Sequence, residues 1–130
     1  MRRIFSKLLY EIEEERSVML VTVVADRGSA PRGAGAAMLV GEKGRITGSI
    51  GGGAVEYQSE KKAMELLKAG ESAVHEFVLR PNEKEDIGMQ CGGDVTVLFA
   101  YVSADDLRWS LLAGAVCDRI EAGRHGWLVL

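Results

Sequence analysis

Two cysteines, two prolines and 6% aromatic residues are few for a chain of 130. Cys91 and Cys117 cannot form a disulfide framework, and they match no CxxC or Cys/His metal spacing, so any chemistry they have is thiol chemistry. The two histidines, His75 and His125, have no second ligand at metal spacing, and a structural metal site carries little weight. No excess of one charge exists: 16 Lys and Arg stand against 19 Asp and Glu, a net charge of −3 with the signs interspersed. That leaves no general footprint for a nucleic acid or an anionic membrane, although a local basic pocket for a small anion is compatible with it. The longest apolar run, Val18 to Ala25 with Thr22 inside it, is far short of the roughly 20 residues that cross a bilayer. Met1-Arg2-Arg3 leads into an acidic segment and not into a signal-peptide core, which makes the cytoplasm the default location.

What is present is an ordinary globular composition, 47% hydrophobic and 27% charged, at the length of one domain. Ile4, Phe5, Leu8, Leu9 and Ile12 recur at helical spacing and predict a helix over 2–16, followed by a buried strand over 18–25. After a Gly/Pro-rich loop at 26–35, strands are expected at 36–40 and 45–49, joined by a hairpin at 41–44. A second helix is expected over 54–69, with a buried stripe of Val55, Ala63, Leu66 and Leu67 and with Gly70 as its C-terminal cap. Strands at 73–79 and 94–102, a helix at 105–122 and a last strand at 127–130 complete the pattern. Strands interleaved with helices predict a layered α/β domain, and the hairpin predicts a mixed sheet with about three helices. The whole chain, 1–130, reads as a single domain.

Sixteen glycines include three clusters at element boundaries, where functional sites collect. Gly48-Ser49-Ile50-Gly51-Gly52-Gly53-Ala54-Val55-Glu56 joins a strand to a helix, and such a turn lets a ligand approach the backbone with an anion on the helix's first N–H groups. It satisfies neither nucleotide fingerprint, because Glu56 stands where the third glycine would be and no GxxxxGK[ST] exists. A tight turn that only packs closely is the alternative reading. Glu56 suits the helix dipole whether or not it meets a ligand. In Gly28-Ser29-Ala30-Pro31-Arg32-Gly33-Ala34-Gly35, Arg32 is placed to clamp an anionic oxygen, the alternative being a solvated surface arginine. In Asp86-Ile87-Gly88-Met89-Gln90-Cys91-Gly92-Gly93, a cysteine followed by two glycines is open to a substrate, whereas Cys117 beside Ala113, Val116 and Ile120 reads as a packing or surface residue. No GxSxG elbow supports a hydrolase triad.

In this order and approximate spacing, the three motifs resemble the xanthine dehydrogenase accessory (XdhC/CoxI) family, over roughly residues 4–102. The resemblance implies a molybdenum cofactor-binding maturation factor, which protects the cofactor, assists its sulfuration by a cysteine desulfurase and delivers it to a molybdenum hydroxylase apoenzyme such as xanthine dehydrogenase. It implies a chaperone more than a turnover enzyme. On this view Cys91 is the sulfur or molybdenum contact, and Ser29, Arg32, Gly51, Gly52, Gly53, Glu56, Gln90, Gly92 and Gly93 line the cofactor site. Where many CoxI-type members carry a cysteine after the double glycine, this chain has Ala54, so a mechanism with two loop cysteines is not carried over. Longer members continue into a Rossmann-like domain and this sequence stops before one, so the expectation is either a stand-alone module that works with a separate Rossmann-like partner or a fragment. A homodimer through sheet edges is a further one. The alternatives from other classes are a small thiol-dependent redox enzyme using Cys91 and a protein-docking module without a ligand of its own.

Overall fold

The computed structural model describes residues 2–24, 35–77 and 95–121, with side chains through Asp118. Its elements are α1 (Arg2–Glu13), β1 (Val18–Val24), β2 (Ala37–Gly41), β3 (Gly44–Gly48), α2 (Gly53–Ala69), β4 (Ala73–Phe77), β5 (Val95–Val102) and α3 (Leu107–Glu121). The strand expected at 127–130 lies outside the described residues.

The strands form one sheet in the order β3-β2-β1-β5-β4. The central strand β1, Val-Met-Leu-Val-Thr-Val-Val, is apolar on both faces because both faces are covered. Met19, Val21 and Val23 join Met38, Val40, Val97 and Phe99 in a core beneath α2, to which Val55 and Ala63 contribute. Val18 and Leu20 point the other way, into a second core with Ile4, Phe5, Leu8 and Ile12 of α1 and Ala113 of α3. The result is three layers, with α2 on one side of the sheet and the α1/α3 pair on the other.

The layered α/β arrangement with three helices agrees with the expectation; the parallel component of the mixed sheet does not appear among the described strands. All four pairings are antiparallel. The reason is topological. A β3-α2-β4 crossover does join two strands of the same direction, but it spans the sheet and sets them at opposite edges, with β2, β1 and β5 between them. The two parallel strands therefore never become neighbours.

This topology places the strand ends that border every glycine motif at one end of the sheet. Val23 and the returning chain exchange hydrogen bonds, from Gly35 N–H to Val23 O (2.8 Å) and from Val23 N–H to Ala36 O (2.9 Å), so residues 25–34 leave and re-enter the sheet at the top of β1. Phe77 pairs with Val95, which brackets residues 78–94 at the same end, where Thr96 faces Val24. Gly48, the last residue of β3, pairs with Met38 beside them.

Candidate functional site

Of the three motifs, the one between β3 and α2 is described. Ser29, Arg32, Gln90, Cys91, Gly92 and Gly93 lie outside the described residues; only the strand ends that border their segments are placed, at the same end of the sheet as the 48–53 turn.

The turn itself is a run of left-handed backbone. Gly48, Gly51, Gly52 and Gly53 have φ of 85°, 121°, 76° and 69°, a region that side chains with a Cβ rarely enter. Gly48 is doubly constrained, since a Cβ there would stand 2.4 Å from Ala37 O and 2.6 Å from Ile4 Cδ1. Gly52 differs: among the described residues a Cβ built on it meets nothing within 4 Å, so this stretch of backbone is open with respect to them. That open face fits a group that approaches main chain closely.

Gly52 is the N-cap of α2 and has no side chain to cap it. Glu56, one turn into the helix, reaches back instead. Its Oε1 accepts from Ser49 Oγ (2.5 Å), from Ile50 N–H (2.9 Å) and from Gly52 N–H (3.3 Å). The Ser49 hydroxyl in turn accepts from Gly51 N–H at 3.2 Å. On the far side, Glu56 Oε2 lies 3.5 Å from Arg45 Nη1, which also donates to Gly48 O at 2.9 Å. One turn further along α2, Glu60 Oε1 accepts from the Arg45 N–H at 3.0 Å and so ties β3 to the helix a second time. Partial burial works to raise the Glu56 pKa, but the bonds from Ser49, Ile50 and Gly52 and the Arg45 charge outweigh it and hold the carboxyl below its ordinary value.

The sequence marked Gly51, Gly52, Gly53 and Glu56 as one unit, and they are brought together. It missed Ser49, Arg45 and Glu60 as partners of that unit. The available signal was faint: a serine seven residues before the glutamate across a turn follows neither a helical nor a strand period. The amides of Ile50, Gly51 and Gly52 are already hydrogen-bonded within the chain, so a phosphate cradle built from them would have to displace Glu56 or Ser49.

Hollows in the described surface lie at the other end of the sheet. Two shallow cavities of about 340 and 370 Å³ share Glu11, Arg16, Gly41 and Glu42, where α1 runs into β1 and β2 into β3. The described glycine motif, between β3 and α2, does not line them. Cys117 sits between α3 and α1 with its Sγ 3.7 Å from Ser6 Oγ, partly buried, in keeping with a packing role. Among the described residues no three His, Cys, Asp or Glu form a group able to hold a metal ion, and no helix is long and apolar enough to cross a membrane.

The fold and turn define a three-layer α/β domain with a glycine-rich strand-to-helix connection at the end of the sheet where its other long connections meet. The profile of the XdhC and CoxI family matches residues 11–78, which run from the end of α1 through the glycine turn to the end of β4, and the chain belongs to that family. It is 36% identical over 110 residues to the molybdenum cofactor insertion chaperone PaoD of Escherichia coli (strain K12), an alignment covering 82% of this chain and 31% of that protein. It is 30% identical over 105 residues to the uncharacterized protein YqeB of the same organism, covering 81% of this chain and 19% of that one. The chain thus spans about a third and a fifth of the lengths of these relatives.

Proposed function

We propose that this chain is a molybdenum cofactor insertion chaperone: it holds the cofactor at the motif end of the sheet, shields it during sulfuration by a cysteine desulfurase and passes it to a molybdenum hydroxylase apoenzyme in the cytoplasm. One observation carries the reading beyond family membership. The strand ends that border Ser29 and Arg32, Gly51 to Gly53, and Gln90 to Gly93 all lie at one end of the sheet, the end that carries a Gly52 backbone face left open among the described residues. The cofactor is cargo, held and released, which matches a site of loops more than a closed active-site cavity.

In this reading Arg32 balances the charge of the pterin phosphate, the glycines at 51–53 and 92–93 let the pterin approach main chain, and Cys91 approaches the molybdenum or its sulfur. The chain works as a homodimer through the β4 edge. The β3 edge is blocked where Glu60 takes the Arg45 N–H, whereas β4 has no strand on its outer side among the described residues and its Val74 is 66% exposed.

The test is cofactor retention by Cys91→Ser with the fold checked by circular dichroism. Lost retention with the fold intact supports the assignment; undiminished retention removes Cys91 from the site. The thiol-enzyme alternative is separated by the pH dependence of Cys91 alkylation, since an ordinary thiol pKa of about 8.5 leaves no activated nucleophile.

A further inference from the structure

In a glycine-rich turn ahead of a helix, the backbone N–H groups ordinarily await an external anion. Here an anion is built in. Glu56 Oε1 takes three donors, the Ser49 hydroxyl and the Ile50 and Gly52 amides, while Oε2 faces the Arg45 guanidinium, itself anchored on Gly48 O. The carboxylate is thereby used on both oxygens, and the Glu56 side chain is only 15% exposed. Around it stand four glycines in left-handed conformation, a backbone with little stiffness of its own. Without the carboxylate, the buried Ile50 N–H and the half-buried Gly52 N–H would lose the acceptor that they have among the described residues.

We infer that Glu56 is a positioning residue: its carboxylate locks the 48–53 turn in the shape that presents the open Gly52 backbone, and it does not itself touch the ligand. The inference deepens the chaperone reading and rests on it for the ligand, while the locking of the turn stands apart from any ligand. It changes the expected role of Glu56 from a cofactor contact to the internal brace of the surface that makes contact. Arg45 and Ser49 belong to the same brace.

Two variants separate bracing from contact. Glu56→Gln keeps an acceptor oxygen for Ser49, Ile50 and Gly52 and loses the charge; Glu56→Ala loses both. With folding verified by circular dichroism, two properties are read: amide hydrogen exchange at Ile50 and Gly52 in the free protein, and retention of molybdenum cofactor under anaerobic gel filtration. Glu56→Ala is expected to speed exchange at both amides about tenfold or more, as the loss of hydrogen bonds to a charged group implies, and to lower retention by a similar factor. Glu56→Gln is expected to stay within about threefold of the parent in both. Ser49→Ala supplies a milder check, speeding exchange at Gly51, whose N–H bonds to that hydroxyl. Unchanged exchange in Glu56→Ala overturns the inference. So does a Glu56→Gln protein that keeps its amides protected yet loses cofactor as fully as Glu56→Ala, because the charge would then be meeting the ligand directly. If the parent protein retains no cofactor the chaperone reading fails, and the exchange rates still decide the brace.

Discussion

Gly48 and Gly52 are both held at positive φ, yet the structure uses them differently, and substitution by alanine exposes the difference. At Gly48 the added methyl meets strain and also the Ala37 carbonyl, Ile4 and the Met38 backbone. Gly48→Ala should cost about 3 kcal/mol, the sum of left-handed strain and overpacking, seen as a lower denaturation midpoint. At Gly52 there is open space, so Gly52→Ala should cost only about 1 kcal/mol of strain. Its larger effect should fall on cofactor retention, since the methyl occupies the face a ligand would approach. Glu56 adds a pH dependence. Its folded-state pKa lies below the ordinary value, so the stabilisation it contributes is complete above the unfolded value of about 4.3 and fades as pH falls through the lower, folded one. Acid unfolding of Glu56→Gln compared with the parent should show this as a smaller loss of stability below pH 4. At this scale the sequence was legible where chemistry announces itself locally, in the glycines and in Glu56 as a first-turn acid. The brace was not, because Arg45, Ser49 and Glu56 meet only when a strand end folds back over a helix start.

The two best-described helix ends show why element boundaries are unevenly legible. At α2, Gly70 takes φ 68°, its N–H bonds Leu67 O, and the Glu71 N–H bonds Leu66 O. The glycine was visible in the sequence, and the boundary was placed correctly. The end of α1 uses the same hydrogen-bond pattern, Glu15 N–H to Ile12 O and Arg16 N–H to Glu11 O, with Glu15 at φ 59°. No glycine marks it, so the helix expected to reach residue 16 stops at Glu13. Glu15→Gly should therefore stabilise the protein by about 1 kcal/mol, a rise in thermal midpoint of several degrees for a domain of this size. The sheet edges yield the other element-scale prediction. If the β4 edge pairs two copies, Val74→Glu, which adds a second acid to the strand that carries Glu76, should convert a dimer mass in light scattering to a monomer. A parent protein that is monomeric at every concentration rules out that interface.

For the whole molecule, the apolar run at 18–25 was legible as a buried strand, and the interleaving of strands with helices as a layered α/β fold. Strand order was not readable, because nothing local records that α2 carries the chain from one edge of the sheet to the other. That crossover gives β3 and β4 the same direction, so the C-terminal ends of β1, β3 and β4, which border three motifs spread over some 65 residues of sequence, all lie at one end of the sheet. The same end receives the C-terminus of α3, which runs back from the Ser103–Asp106 turn, where Ala104 N–H bonds Ser17 Oγ, past Ser6 of α1 at Cys117. The central claim is that this end holds the molybdenum cofactor. Anaerobic titration of the purified protein with the cofactor, separation by gel filtration and fluorescence of the oxidised pterin test it directly. The account predicts stoichiometric retention that falls in Gly52→Ala and Cys91→Ser; a folded protein that retains no pterin at any ratio would contradict it.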